Sequence, residues 1–204
     1  GGTTEFVYRG DASRVQSAHL SMDAGVEWRS AAVSGSEVRA SGTRMVTRER
    51  YEGTDARVGA YVSSTLKAGR LTLMPGIRVD RWSLTAAAAA SPWTQGTFEL
   101  GRGLTLRGGA GMYRQMAEAD QVIGLRGNRS LEPSRSVQAD LGIQGRIGSH
   151  VRWQVTGYNR EDRDWLRLPL AEVKLVGTSV LSPSTVTAWQ NALDGYARGV
   201  EWLV

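Results

Sequence analysis

Apolar and polar positions alternate along this chain in long runs. The clearest run lies in Arg126 to Gln144, which reads RGNRSLEPSRSVQADLGIQ. Val137, Ala139, Leu141 and Ile143 fall on one face, and Ser136, Gln138, Asp140, Gly142 and Gln144 on the other. A period of two is the signature of a strand with one apolar and one polar face. Gly127, Asn128 and Pro133 ahead of it mark a polar loop. A long polar loop feeding a long two-faced strand is the unit that the rest of the chain repeats.

Taken in order, Thr3 to Tyr8 predicts a short strand ended by a turn near Arg9-Gly10-Asp11. His19 to Trp28 alternates cleanly, and the polar stretch Arg29 to Thr54 reads as a long loop with room for its own hairpin. Ala56, Val58, Ala60, Val62 and Leu66 form the next apolar face, closed by the tight turn Lys67-Ala68-Gly69-Arg70. Leu71, Leu73, Ile77 and Val79 return, with a bulge or break expected at Pro75, which cannot donate to a ladder. Arg81 to Ser91 reads as a loop, Pro92 to Leu100 as a weaker strand, and Gly101-Arg102-Gly103 as a tight turn. Leu104 to Tyr113 is a strand, Gln115 to Pro133 a long loop, and Ile147 to His150 a third tight turn. Val151 to Thr156 alternates, Trp165 to Asp194 reads as a long connection, and Tyr196 to Val204 closes on a strand.

Strand length and loop rhythm decide between architectures. The apolar faces span about 9–14 residues, whereas soluble strands run nearer ~5–6 and membrane strands need ~9–11. Short and long connections alternate, as in outer-membrane barrels with short turns on one side and long loops on the other. Arg57, Arg78, Asp80, Arg107, Asp140, Arg146 and Arg152 fall opposite the apolar face. In a dry core each would cost several kcal/mol unless paired; facing a wet lumen they cost little. Trp28, Trp153 and Trp202 fall near the ends of apolar faces, where an interfacial girdle places aromatics.

Composition narrows the classes further. Gly is 25 of 204 residues and Pro only 5, which suits an all-β chain. Cys is absent, so there is no disulfide framework and no thiolate metal site. The net charge of +5 is spread without a basic cluster, which argues against a nucleic-acid partner. No secretory leader opens the chain and no apolar run reaches the ~18 residues of a membrane helix.

Candidate chemistry is sparse. Ser64-Thr65-Leu66-Lys67 has the spacing of a serine–lysine nucleophile, but on a strand Ser64 and Lys67 face opposite sides. His19 and His150 have no second ligand at metal spacing, and Glu161, Asp162 and Asp164 read as a solvated strand end. Gly101-x-Gly103 and Gly108-Gly109-x-Gly111 lack the ending of a phosphate loop. Arg9-Gly10-Asp11 as an adhesion signal and Asn128-Arg129-Ser130 as a glycan acceptor are short matches. No catalytic residue, no metal site and no cofactor is expected.

Four segments resemble one family. LTLMPGIRVD (Leu71 to Asp80), LTLRGGAGMYRQ (Leu104 to Gln115), GNRSLEPSRSVQADLG (Gly127 to Gly142) and NALDGYARGVEWL (Asn191 to Leu203) resemble, in the same order, strand words of TonB-dependent outer-membrane receptors. Members carrying a carboxypeptidase-regulatory-like domain fall within that resemblance. Arg129 and Ser134 depart from the family's Pro and Glu at those places.

The resemblance implies that residues 1–204 are a partial, antiparallel up-and-down transmembrane β-barrel. It would supply roughly nine of roughly 22 strands, with no plug domain visible. It implies residence in the bacterial outer membrane, contact with its lipid, and energy-coupled uptake of a small-molecule nutrient of the siderophore, cobalamin or oligosaccharide class. Energy would come from an inner-membrane complex acting through a plug domain absent here. By position on loops or the loop-proximal lumen, Trp82, Tyr113, Arg114, Gln115, Arg126 and Arg163 are candidate ligand contacts. A non-transporting structural, pore or surface-display barrel is the alternative. A soluble all-β module is disfavoured, since such strands would expose a broad apolar sheet and two open edges.

Overall fold

The computed structural model describes residues 2–41, 44–124, 126–148, 151–169, 174–176, 178–181 and 187–204. Among them, nine strands build one antiparallel sheet: β1 (Gly2–Ser17), β2 (Leu20–Ser41), β3 (Arg44–Ala68), β4 (Leu71–Trp82), β5 (Ala88–Gly101), β6 (Leu104–Gln115), β7 (Ser134–Ile147), β8 (Val151–Arg167) and β11 (Gln190–Leu203). Each pairs with its neighbour in sequence, in the order β1-β2-β3-β4-β5-β6-β7-β8-β11. The two short strands β9 (Lys174–Val176) and β10 (Ser179–Leu181) pair only with each other, in the connection between β8 and β11. One helix, α1 (Ala119–Ile123), lies between β6 and β7. This is the wall of an up-and-down barrel with both edges open.

The rhythm of connections is as expected, but several boundaries move; the expected connection Trp165 to Asp194 shortens at both ends, because β8 runs on to Arg167 and β11 starts at Gln190. Gly10 is mid-strand, opposite Val26, and the first turn falls at Ala18–His19. Strand β1 continues through Arg9-Gly10-Asp11 because the small and charged residues keep the two-residue alternation. Arg29 to Thr54 is not a loop: β2 and β3 stay paired from Leu20↔Leu66 out to Ser41↔Arg44. Paired backbone holds strands whose side chains are polar on both faces, provided they stand clear of lipid. Part of the alanine run also belongs to β5, leaving Ser83 to Ala87 as the loop. At Pro75 the β3–β4 ladder lapses between Ser63↔Gly76 and Leu66↔Leu73, then resumes in the same register. The expected break is there; the bulge is not.

The register aligns the faces across the sheet. One transverse row runs Leu71, Phe98, Leu106, Ile143, Val155, Trp202. The adjacent row, one residue on, runs Thr72, Thr97, Arg107, Gly142, Thr156, Glu201. The first face is apolar yet open: Val58 is 52%, Leu141 62% and Val200 74% exposed. From Leu104 to Arg114 is ten residue steps (114 − 104). At ~3.3 Å per residue and a tilt near ~40° that is ~25 Å, the height of a barrel's apolar band. The band's upper border crosses the strands diagonally, at Arg81 on β4, Arg114 on β6 and Asn159 on β8, as tilted strands require.

Among the described residues the sheet buries no core on that face. The buried apolar cluster of Trp82, Met116, Ala117, Val122 and Leu131 sits on the opposite face, at the long-loop end.

The open apolar face predicts a sharp asymmetry. Leu141→Arg should destabilise the full-length protein in lipid vesicles by about 2–4 kcal/mol, because Leu141 lies within the band. Gln95→Arg, on the polar face of β5, should change the urea midpoint little.

Candidate functional site

The polar face is held together by short-range ion pairs. Arg9–Asp11 (2.8 Å), Arg57–Asp55 (2.6 Å), Arg78–Asp80 (2.7 Å) and Arg160–Asp162 (2.8 Å) each join residues two apart on one strand. Residues i and i+2 share a face, so an Arg and an Asp at that spacing lie side by side. Arg29 reaches across to Glu5 at 3.0 Å. The Tyr61 hydroxyl donates to Asp11 at 2.7 Å, spanning from β3 to β1. It can do so because Gly25 on β2 lies between them: a Cβ there would collide with the Tyr61 ring and the Asp11 carboxylate. Gly76 accommodates the Trp93 ring in the same way. Flat polar side chains thus lie across glycines of the next strand and line this face with ionic and aromatic groups.

The connection Met116 to Pro133 folds over the long-loop end of this face. Met116, Ala117, Val122 and Leu131 bury themselves against Trp82, with Leu84, Ile123, Leu166 and Trp189 packed around them. The Gln121 side chain accepts from the Glu118 amide at 2.8 Å and closes the first turn of α1.

Two asparagines fasten this cap. Asn128 Nδ2 donates to the Trp189 carbonyl (2.9 Å), and the Trp189 amide donates to the Arg126 carbonyl (2.9 Å). Asn191 accepts from the Glu132 amide (2.9 Å), while its Nδ2 donates to the carbonyls of Glu132 (2.9 Å) and Asp164 (2.7 Å). Both asparagines belong to the family-like words GNRSLEPS and NALDG; their work is to tie the β6–β7 loop to the start of β11.

Between the cap and β1–β3 lies a polar recess of about 310 Å³, lined in part by Glu5, Arg29, Asp55, Arg57, Glu118 and Asp120. It combines two arginines with four carboxylates, a surface suited to polar cargo by hydrogen bonds and charge rather than by apolar enclosure.

The six expected contact residues separate. Tyr113 and Gln115 are exposed on the polar face at the loop end, opposite Ser136 and Ser134. Arg126 sits in the cap, half-buried. Trp82 is 7% exposed inside the apolar cluster, so it supports the cap rather than offering a free surface. Arg114 and Arg163 lie on the other face, in the row Arg114, Arg135, Arg163. Strand parity separates them from the polar face: each is one residue away from a side chain that points inward.

Sequence reasoning missed Glu5, Arg29, Asp55, Asn128 and Asn191. The signal for the ion pairs was present as repeated Arg-x-Asp and Asp-x-Arg triplets at residues 9–11, 55–57, 78–80 and 160–162. The acidic cluster also divides: Asp162 pairs inward with Arg160, Glu161 meets Arg198 at 3.2 Å, and Asp164 turns the strand at φ 60°. Of the two histidines, His150 lies outside the described residues.

A family model described as "TonB dependent receptor-like, beta-barrel" matches residues 2–203. No curated protein matches the chain by sequence. Among solved structures, a mutant ferric enterobactin receptor of Pseudomonas aeruginosa superposes with a TM-score of 0.78 at 15% identity, covering 98% of this chain and 32% of the receptor. The siderophore receptor PirA of Acinetobacter baumannii gives 0.76 at 18% identity, covering 98% and 34%. The copper transporter OprC gives 0.65 at 16% identity, covering 98% and 34%. The chain spans about one third of the length of these structures.

Two substitutions check the geometry. Gly25→Val should displace the Tyr61 ring and cost about 1–3 kcal/mol, read as a lowered urea midpoint of the full-length protein. Asn191→Ala should leave the barrel intact but free the cap, read as faster protease cleavage within Met116 to Pro133.

Proposed function

The chain belongs to the TonB-dependent receptor-like β-barrel family, and on that basis we propose that it forms part of the barrel wall of an energy-coupled outer-membrane receptor that takes up a scarce nutrient. The family and its structural neighbours are receptors and transporters rather than enzymes. The observation that carries the reading is the two-sided wall: an apolar band of one membrane height outside, ion pairs inside, and a folded loop capping the inner side.

In this reading the apolar face contacts outer-membrane lipid and the short turns face the periplasm. The cargo passes along the ionic inner face, after first contact near the cap. Tyr113, Gln115 and Arg126 are the proposed first contacts, with Arg29 and Arg57 lining the recess beneath. Cargo of the siderophore, cobalamin or oligosaccharide class suits such a wall. The siderophore receptors among the structural neighbours make ferric siderophores the first to try. Energy would reach the barrel from the inner membrane through a plug domain that lies outside this chain.

The test uses the full-length receptor in a host lacking its own siderophore receptors, with a labelled ferric siderophore panel. Uptake should be abolished by an uncoupler of the inner-membrane proton gradient. Tyr113→Ala with Arg126→Ala should raise the half-saturating concentration roughly tenfold, the scale of a ~1.4 kcal/mol contact loss. Influx that persists unchanged with the gradient collapsed would identify a diffusion pore instead.

A further inference from the structure

Away from the short turns, the inner-face arginines find carboxylates, whereas Arg107, Arg146 and Arg152 nearer those turns make no ion pair among the described residues. On the inner face Arg9, Arg29, Arg57, Arg78 and Arg160 each have a carboxylate within 3.0 Å. On the outer face Arg114 on β6, Arg135 on β7 and Arg163 on β8 are consecutive partners in one transverse row, Arg114↔Arg135 and Arg135↔Arg163. Among the described residues none of the three makes an ion pair. Arg114 Nη2 reaches only the Met112 sulfur at 3.9 Å, and its Nε is buried without an acceptor. Glu161, the nearest carboxylate on that face of β8, is held by Arg198 at 3.2 Å.

Three like charges directly opposite one another on adjacent strands repel, since facing Cβ atoms stand only ~4.5–5.5 Å apart. An anion lying across such a row relieves the repulsion. On β6 and β7 the row lies just past the apolar band, whose last apolar members there are Met112 and Val137; on β8 the diagonal border falls at Asn159, and Arg163 stands two outward positions beyond it. That is the level of lipid headgroups on the long-loop side. Guanidinium groups bind anionic oxygens in a bidentate fork, and three of them side by side can share the several oxygens of a phosphate ester, which a neutral sugar does not match in charge.

We propose that Arg114, Arg135 and Arg163 form a binding site for the phosphorylated headgroup of a lipid in the leaflet that surrounds the long loops. The inference rests on the membrane-barrel reading above, which sets the apolar face against lipid. The site is separate from the inner face, so it holds the barrel's surroundings rather than its cargo. It accounts for two residues, Arg114 and Arg163, that strand parity removes from the ligand path.

The full-length receptor in neutral detergent micelles, titrated with phosphatidic acid and followed by native mass spectrometry, tests this. Wild type should bind phosphatidic acid well above phosphatidylcholine, and an equal concentration of inorganic phosphate should not displace it. Arg114→Gln, Arg135→Gln and Arg163→Gln together should weaken phosphatidic acid binding about a hundredfold, at roughly fivefold per arginine near a membrane surface. Arg70→Gln with Arg102→Gln, on the short turns at the other end, should change nothing. If the triple variant fails to fold, judged by its heat-modifiable mobility in gels, the exposed Arg163→Gln alone should still show the roughly fivefold loss.

Equal binding of phosphatidic acid and phosphatidylcholine by wild type, or an unchanged triple variant, would overturn the proposal. So would displacement of the lipid by inorganic phosphate, which points to a soluble anion, or an altered oligomeric state with unaltered lipid binding, which points to a protein contact. Cargo uptake should survive the triple substitution. A wild-type protein that does not insert into bilayers would instead refute the receptor reading itself.

Discussion

Within hydrocarbon an unpaired backbone amide or carbonyl costs several kcal/mol, so a chain that crosses as strands has to be paired along its whole crossing. The nine-stranded ladder meets that requirement by joining each strand to its sequence neighbour, without a crossover. Everything else is subordinate to the ladder. Once register is set, a two-residue period assigns every side chain to lipid or lumen, and one residue of slippage would exchange the two environments. Pro75 shows how narrow the tolerance is: the β3–β4 ladder lapses there for two pairs and resumes without a shift, so the faces beyond it keep their sense.

The two faces solve opposite electrostatic problems. Inside, charge is kept by local pairing, an arginine and an aspartate two residues apart with a glycine on the neighbouring strand making room. Such pairs contribute modestly to stability, because several are half-exposed and screened; their larger effect is to keep the wall polar and closed to lipid. Outside, charge gathers at the band's border, where Arg198 pairs with Glu161 while Arg114, Arg135 and Arg163 make no ion pair among the described residues.

Among the described residues, the cap is where the chain builds a conventional apolar core. Strands that bury neither face against another layer provide none, so the loop supplies its own anchor, with Trp82 as the platform and Met116, Val122 and Leu131 as the cover. Asn128 and Asn191 act across about sixty residues of sequence, since each joins the β6–β7 loop to the region of β11. That separation is why neither was legible as functional beforehand. A lone asparagine in a polar stretch signals a turn; only the folded chain shows which distant carbonyl it meets.

Periodicity in the sequence was sufficient to determine the strands, their two faces, the alternation of short and long connections, and the membrane setting that these imply. Those properties are local: a side chain's face depends on parity, and a turn on a few adjacent residues such as Gly69 or Gly103, both at positive φ. Local pattern failed at Arg29 to Thr54, where pairing between β2 and β3 sustained the ladder, and at Arg9-Gly10-Asp11, where turn-like residues kept the alternation of β1. Only tertiary structure decided which charges meet, that Trp82 is covered, and that Arg114 and Arg163 stand in one row with Arg135, away from Tyr113 and Gln115. Partnership across strands depends on register, and register is a relation between segments that no single segment carries.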